Sequence, residues 1–270
     1  MRTTLIRILQ ALVVVAVAVS FANADDVMYV KKKAAAGGGA SCSPTTGDIF
    51  TEGFENLTGS SGYESNAGTW TQTGATLDNQ ATLSGTPPSN SCTKGLSFNT
   101  TNAVSRSQWN KGSAIDNTKN VDYVFDIMVQ TGTSLTDFTS TELLLSSATA
   151  ALGSAPGIVK LTRWSPDGGS QYTIRCSDAV GTNYSTRVLL ALDTWYTVTM
   201  HIDTTAANSY CKVEGGGSST CTGTSCTFTS GAVRAVSPFS QYITLGPSDG
   251  NLGSGETLKA TYGYIRVNTQ

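Results

Sequence analysis

The sequence predicts an all-β fold, and three observations lead to that prediction. From Trp195 to Asp203, apolar and polar side chains alternate, as they do along a strand with one buried face. The run from Val121 to Gln130 alternates in the same way. The chain contains 28 glycines and many Ser and Thr residues, which suits a protein with many turns. No stretch near the two alternating runs has a helical period.

The first 47 residues are predicted to precede the folded domain. Two arginines are followed by an apolar run from Leu9 to Val19, and Ala22-Asn23-Ala24 fits a signal-peptidase site. We therefore expect residues 1–24 to be a signal peptide and the protein to be secreted. The apolar run is shorter than the roughly 20 residues of a membrane span, so we expect no membrane span in the mature protein. Residues 25–47 contain runs of Lys, Ala and Gly, which predict a flexible low-complexity leader.

Residues 48–270 are predicted to form one β domain, because short alternating or apolar runs are separated by turn signals throughout. The sequence Ser165-Pro166-Asp167-Gly168-Gly169 is a strong hairpin turn. The small polar segment Thr204 to Asn208 is a second turn. The predicted strand regions, in chain order, are Asp48–Glu55, Gly68–Leu83, Lys94–Arg106, Val121–Gln130, Glu142–Ser146, Ile158–Trp164, Gln171–Cys176, Thr186–Leu192, Trp195–Asp203, Ser209–Glu214, Gln241–Leu245 and Ala260–Val267.

Six cysteines follow the predicted cleavage site, and in an exported chain an even number predicts disulfides. The sequence alone does not choose among the possible pairings. We expect a bond between neighbouring strands, one across a tight loop and one near the N-terminus: Cys176–Cys211, Cys221–Cys226 and Cys42–Cys92. Zinc binding is disfavoured, because no CxxC pair is present and the sole histidine, His201, lies within a predicted strand.

The charge balance argues against one class of partner. The formal net charge is −2 at pH 7. A protein that binds nucleic acid usually carries a basic patch or a basic net charge. We therefore expect no nucleic-acid partner.

The hairpin from Ala191 to Gly215 resembles a part of the concanavalin A-like lectin/glucanase superfamily, and within it the laminin G-like and pentraxin-like modules. The segments Asp48–Glu55 and Ala260–Val267 resemble the first and last strands of that superfamily, and the resemblance implies that these two strands pair with each other. The resemblance implies a two-sheet antiparallel β-sandwich (a jelly roll) with a ligand groove on one sheet. It is not specific for any activity. The hairpin residues that match are Trp195, Tyr196, Val198, Met200 and Asp203, followed by Tyr210–Gly215.

Sugar binding requires aromatic faces that pack against sugar rings and a few polar groups that form hydrogen bonds. Polar residues on the non-core faces of the predicted strands, together with tryptophans and Tyr184, are the candidates for such contacts. We predict a secreted non-catalytic carbohydrate-binding or adhesion module, whose partner is an extracellular glycan or cell-surface component. The candidate ligand-binding residues are Trp109, Trp164, Asp122, Asp126, Arg175, Thr199 and His201.

Two alternatives remain open at this point. A lyase-like, polysaccharide-cleaving enzyme would use His201 as a base with Arg175 and Tyr264 as partners. The second alternative is a structural protein of an extracellular layer or appendage. A glycoside hydrolase of the laminarinase type is disfavoured, because its two carboxylates lie about 5 to 10 Å apart. Asp122 and Asp126 are separated by about 13 Å along one strand.

Calcium is the ion that this chain would suit, since calcium takes hard oxygen ligands from carboxylate and amide side chains. The predicted site is formed by Asp249, Asn251 and Glu256, which lie in and after an Asp-Gly loop. Glu52 and Glu55, near the first predicted strand, form the alternative site.

Overall fold

A computed structural model describes residues 49–54, 69–73, 81–82, 94–101, 106–110, 115–116, 118–147, 157–165, 171–177, 184–205, 208–215, 242–247 and 252–270. These residues form β-strands joined by turns, and no α-helix occurs among them. The strands, numbered β1 to β14 in chain order, are Phe50–Glu52, Thr69–Thr73, Ala81–Thr82, Lys94–Thr100, Arg106–Asn110, Val121–Val129, Ser140–Ser147, Gly157–Trp164, Gln171–Ser177, Val188–Leu190, Thr194–Ile202, Tyr210–Gly215, Tyr242–Leu245 and Leu258–Thr269.

The strands form two seven-stranded antiparallel sheets. The first sheet has the order β12-β11-β6-β14-β4-β3, and β1 also pairs with β14. The second sheet has the order β10-β9-β8-β7-β13-β5-β2. The predicted two-sheet antiparallel β-sandwich is therefore confirmed, as is the predicted pairing of the first strand with the last. The signal peptide and the leader lie outside the described residues and remain predictions.

The hydrophobic core lies between the sheets, and alternate residues of β6 and β11 contribute to it. On β11, Tyr196, Val198, Met200 and Ile202 are all fully buried in the core, as the alternation predicts. On the neighbouring β6 the core residues are also the predicted ones: Val121, Tyr123, Phe125, Ile127 and Val129. Burial of such side chains contributes about 1.5–3 kcal/mol each, which fixes which face of each strand is turned inward.

Polar contacts also join the two sheets across the core. The Tyr262 hydroxyl on β14 donates a 2.6 Å hydrogen bond to the Leu143 carbonyl on β7. The Ser146 hydroxyl on β7 donates a 2.8 Å bond to the Tyr123 hydroxyl on β6. Burial raises the pKa of Tyr262, so this phenol stays protonated. The hydrogen bonds allow large aromatic rings to fill the core without leaving their hydroxyl groups unsatisfied.

The disulfide Cys176–Cys211 is present as predicted. The two strands that it joins were predicted to be neighbours, but they lie in different sheets. Cys176 lies on β9 of the second sheet and Cys211 on β12 of the first, so the bond crosses the sandwich. The cysteines of the other two predicted pairs lie outside the described residues.

A β-bulge at Gly263 decides which face Tyr264 occupies. The register of β14 against β6 shifts between Tyr262, which is opposite Ile127, and Tyr264, which is opposite Asp126. In a strand without a bulge, residues two positions apart lie on the same face, but Tyr262 and Tyr264 pair with consecutive residues of β6 and so lie on opposite faces. The bulge turns Tyr262 into the core and Tyr264 to the outer face of the first sheet.

Candidate functional site

The candidate polar residues fall on the outer faces of both sheets. In the first sheet, His201 lies directly opposite Asp122, and Thr197 directly opposite Asp126. Arg175 lies on β9 of the second sheet, so it does not share a sheet face with His201, Asp122 and Asp126. An alternating pattern shows which residues of a strand face the core, but it does not show to which sheet the strand belongs.

On the first sheet the outer-face candidates are mostly buried. Asp122 is 6% exposed, Asp126 is fully buried and His201 is 5% exposed. Thr199 is half-buried and lies opposite Val124. The Thr197 hydroxyl donates a 2.7 Å hydrogen bond to Asp126. The described side chains of this face therefore form a packed polar layer and not an open groove.

His201, Asp122, Asp203 and Tyr210 form what we call the His201 cluster. The ring nitrogen Nδ1 of His201 lies 2.5 Å from Oδ1 of Asp122, and Nε2 lies 3.4 Å from Oδ2 of Asp203. The ring stacks on Tyr210 with centroids 4.5 Å apart. Gln270 and Asn120 donate side-chain hydrogen bonds to Asp122 and Asp203, respectively.

The electrostatics of the cluster favour a charged histidine. Burial lowers the pKa of His201, but the hydrogen bonds and charges of Asp122 and Asp203 outweigh burial, so the pKa is raised overall. A general base needs a free nitrogen within reach of its substrate. Both nitrogens of His201 are engaged by carboxylates, and the contacts of the cluster join the ends of β6, β11, β12 and β14.

The residues of the lyase-like alternative are not brought together. Tyr264 is opposite Asp126 and His201 is opposite Asp122. Those two positions on β6 are about 13 Å apart at about 3.3 Å per residue, and Arg175 is in the other sheet. Burial raises the pKa of Tyr264 to about 12, Arg266 opposes this rise and Asp126 adds to it.

The outer face of the second sheet has a different character. Trp164 and Lys160 lie on this face of β8, and Arg175 lies opposite Lys160 on β9. Arg187 immediately precedes β10, next to Val188, which is opposite Ile174. We name this surface the cationic aromatic face, and it consists of Phe138, Lys160, Trp164, Arg175, Tyr184 and Arg187.

Two arginines of this face stack on aromatic rings. The Arg175 Cζ lies 3.8 Å from the centroid of the Tyr184 ring, and the Arg187 Cζ lies 3.7 Å from that of Trp164. The second contact reaches from the start of β10 to β8 and so passes over β9. On the same face, Thr162 and Thr173 are only 1% exposed. The two small threonines of this face are therefore covered.

Phe138 is the most exposed large apolar side chain among the described residues, at 60%. Its ring meets that of Trp164 edge to face, with centroids 5.3 Å apart. Its backbone adopts the left-handed conformation, with φ of 66°, which is unfavourable for a bulky residue. A strained exposed aromatic residue next to a tryptophan and an arginine is the strongest indication of a binding surface in the described structure.

The loop that carries Phe138 is held firmly by Arg163. The Phe138 N–H donates a 2.8 Å hydrogen bond to the Arg163 carbonyl. The Arg163 guanidinium donates a 2.9 Å bond to the Leu135 carbonyl and forms a 2.8 Å ion pair with Asp137. These contacts offset the cost of the left-handed conformation, which is about 1–3 kcal/mol.

Glu256, a predicted calcium ligand, anchors the same loop. Its carboxylate accepts hydrogen bonds from the Thr136 N–H at 2.6 Å, the Thr139 hydroxyl at 2.8 Å and the Gly253 N–H at 2.7 Å. Burial raises the pKa of Glu256, but these hydrogen bonds outweigh it and lower the pKa overall. Asp249 and Asn251 lie outside the described residues.

Only one of the two residues of the alternative calcium site lies in the described part of the structure. Glu52 is 5% exposed, and its Oε1 accepts a 2.9 Å hydrogen bond from the Phe54 N–H. Glu55 lies outside the described residues. Among the residues that the structure describes, no group of three or more His, Cys, Asp or Glu side chains is arranged to hold a metal ion. Calcium binding remains a prediction.

Three members of the cationic aromatic face were not predicted from the sequence. Phe138 is in a loop, where no periodicity marks a residue as exposed. Arg187 stands just outside a three-residue strand, and Lys160 is one of several lysines without a distinguishing motif. Trp164, Arg175 and Tyr184 were candidates. The side chain of Trp109 lies outside the described part of the structure, although the backbone of Trp109 pairs with Ile243 and Trp70.

No protein-family model and no curated protein sequence matches this chain. Solved structures with a similar course of the chain include an exolytic PL7 alginate lyase from Zobellia galactanivorans, with 9% identity over 66% of this chain and 85% of that chain and a TM-score of 0.45. Lectin I-B4 from Griffonia simplicifolia, in its metal-free form, has 14% identity over 82% of this chain and 98% of that chain, with a TM-score of 0.47. A Trypanosoma rangeli sialidase has 12% identity over 83% of this chain and 31% of that chain, with a TM-score of 0.48.

These likenesses concern the course of the chain, so the class of this protein is defined by its own fold and surfaces. The described part of the chain is all-β, with two antiparallel sheets, a disulfide between them and a cationic aromatic face on the second sheet. Within the described residues, no helix is long and apolar enough to cross a membrane.

Proposed function

We propose that this protein is a secreted, non-catalytic glycan-binding or adhesion protein that holds its ligand on the cationic aromatic face. The exposed ring of Phe138 carries the proposal, because the fold accepts an unfavourable backbone conformation to keep this ring in solvent beside Trp164. Aromatic rings at fixed positions on a rigid sheet suit the apolar faces of sugar rings.

The second exposed ring of the face is Tyr184, at 39%. Tyr184 pairs with Ser177 by an isolated bridge, and Trp164 is opposite Gln171. Six positions along β9 separate those two partners, which is about 20 Å at about 3.3 Å per residue. A surface of this length fits several consecutive sugar units of an extended chain better than one monosaccharide.

Secretion and the non-catalytic assignment have their own support. The buried disulfide Cys176–Cys211 suits an oxidising compartment, in agreement with the predicted signal peptide. The engagement of both ring nitrogens of His201 by carboxylates favours a structural role for the sole histidine over that of a general base.

The test is retention of the purified mature protein on a panel of insoluble and immobilised polysaccharides, with calcium and with a chelator. We expect retention on at least one polysaccharide, no release of sugar or unsaturated product, and loss of retention in Phe138→Ala. Phe138→Tyr keeps the ring and is the matched control, which we expect to be retained.

Three outcomes contradict the proposal in different ways. Product release by the pure protein would make it an enzyme. Retention that Phe138→Ala leaves unchanged would place the ligand elsewhere. Failure to bind any polysaccharide, together with self-association at high concentration, would favour the structural protein of an extracellular layer. Retention that the chelator abolishes would support the predicted calcium site.

A further inference from the structure

The charges on the cationic aromatic face specify its ligand further than the aromatic rings do. We infer that the ligand is an acidic glycan, whose carboxylate or sulfate groups are bound by Arg175, Arg187 and Lys160. The inference rests on the proposed function, and it adds the chemical class of the sugar chain.

The three cations form a row across three neighbouring strands. Lys160 is directly opposite Arg175, and the register of β10 against β9 places Arg187 on the far side of Arg175. Neighbouring strands lie about 4.8 Å apart, so the backbone positions of the row span about 10 Å. Like charges at this spacing repel one another, and the fold tolerates that repulsion on an otherwise slightly acidic chain.

The row is not neutralised by the described part of the chain. The ion pairs of the described residues are elsewhere, at Arg163–Asp137, Lys212–Glu214 and His201. The acidic residue nearest in register is Glu142, opposite Lys160, and it offsets one of the three charges at most. Burial, and then the neighbouring charge of Arg187, lower the pKa of Arg175. The remaining positive charge is available to an anion from outside.

The guanidinium groups are oriented before any ligand arrives. Stacking on Tyr184 and on Trp164 fixes the plane of each group and leaves the donors at its edge for hydrogen bonding. The Nε atoms of Arg175 and Arg187 are covered and have no hydrogen-bond partner, so the terminal nitrogens are the donors that a ligand reaches. A fixed planar fork of this kind suits the two oxygens of a carboxylate or sulfate.

The aromatic residues distinguish a glycan from other polyanions. Phe138 and Tyr184 lie at the two ends of the face, and the cations lie between them. The net charge of −2 gives no long-range attraction for any polyanion, so the contacts of the aromatic rings decide between a glycan and a nucleic acid. An acidic sugar chain supplies both apolar ring faces for the aromatics and spaced anions for the arginines.

The test compares ligands that differ only in charge. Affinity of the mature protein is measured for polygalacturonate and for its methyl ester, and for dextran sulfate and dextran, at low and at high sodium chloride. We expect tight binding to at least one acidic polymer, at least about tenfold weaker binding to its neutral partner, and weakening by salt. Single-stranded DNA is the competing polyanion, and we expect it to bind no more tightly than the neutral sugars.

The variants assign the effect to the face. Arg175→Gln and Arg187→Gln are each expected to weaken binding to the acidic polymer about tenfold, since a hydrogen bond to a charged group is removed. Lys212→Gln removes the same charge from the other sheet, where Lys212 is paired with Glu214, and is expected to leave affinity unchanged. Thermal unfolding of each variant shows whether it is folded. If a glutamine variant is unfolded, the lysine variant at that position keeps the charge and is expected to retain the salt dependence.

The outcomes separate this inference from the proposed function. Equal affinity for an acidic polymer and its neutral partner, with loss of binding in Phe138→Ala, would overturn the acidic-glycan inference and leave glycan binding intact. Equal weakening by Lys212→Gln and by the arginine variants would overturn it as well. Tighter binding of DNA than of every polysaccharide would overturn both.

Discussion

Removal of the Glu256 side chain tests how the fold presents Phe138. The carboxylate is 4% exposed and accepts three hydrogen bonds that connect the loop containing Thr136 and Thr139 with the turn at Gly253. Hydrogen bonds to a charged group contribute about 1.5–3 kcal/mol each. Thr136 and Gly253 are exposed, so water replaces much of what their N–H groups lose.

We therefore expect Glu256→Ala to lower the free energy of unfolding by about 2–3 kcal/mol, well below the sum of three bonds. For a domain of this size that is a fall in Tm of about 5–10 °C. Glu256→Gln keeps one acceptor oxygen but places an amide donor near a backbone N–H, so we expect about half the loss. Because the loop loses its anchor, both variants also weaken glycan binding.

The assay is thermal unfolding followed by circular dichroism, together with retention on the polysaccharide that the wild-type protein binds. Since the pKa of Glu256 is lowered in the folded state, its contribution is complete above the ordinary value of 4.5 and is lost as pH falls through the folded value. Wild type and Glu256→Ala should therefore converge in Tm at low pH.

Two results would refute this reasoning. A change in Tm below about 1 °C would mean that the hydrogen bonds do not stabilise the loop. A large fall in Tm with unchanged retention would mean that Phe138 does not depend on the loop anchor. A fall in the Tm of wild type on adding a chelator, absent in Glu256→Ala, would instead assign Glu256 to the predicted calcium site.

Three further predictions follow from the core, the turns and the His201 cluster. Replacement of Cys176 and Cys211 by alanine removes a cross-link with a sequence separation of 35, and should cost about 4 kcal/mol, or about 8–16 °C in Tm; no change in Tm would refute it. Gly215→Ala should lower the free energy of unfolding, measured with denaturant, more than Gly255→Ala does. Both glycines have positive φ, but an added Cβ at 215 would lie 2.6 Å from the Trp195 carbonyl oxygen, whereas an added Cβ at 255 would have no atom within 4 Å. Equal losses of stability would contradict the clash. The raised pKa of His201 means that its charged form stabilises the fold fully below the ordinary value of 6.5 and loses that effect as pH rises through the folded value. The difference in Tm between wild type and His201→Asn should therefore shrink from about pH 6 to pH 9, and a difference that grows over this range would refute the sign.

The parts of the fold that could be predicted are those in which one face of a strand is buried. On β11 and β6 the alternation identified each core residue, because burial of those side chains fixes the register of the strands. The outer face of β6 was harder to predict. Asp126 is fully buried although its position in the pattern suggested a polar exposed face, and it is satisfied in part by the Thr197 hydroxyl.

Grouping of side chains into sites was the weaker part of the sequence argument. Arg175 was placed with His201 because both lie on non-core faces, but period-two alternation does not show which sheet a strand joins. The Cys176–Cys211 bond was predicted for neighbouring strands and in fact crosses the sandwich. Phe138 was missed because its exposure depends on its own left-handed backbone conformation and on contacts with Arg163, a residue that is distant in sequence.

The most direct test of glycan binding on the second sheet is side-chain footprinting by hydroxyl radicals, with and without the polysaccharide that the protein retains. The proposed function predicts that labelling of Phe138 and Tyr184, both exposed in the free protein, falls when the glycan is bound. In a parallel experiment with a reagent that modifies lysines, Lys212 on the first sheet should be modified to the same extent in the complex and in the free protein. Unchanged labelling of Phe138 and Tyr184 in a saturated complex would contradict the assignment of the ligand to this face.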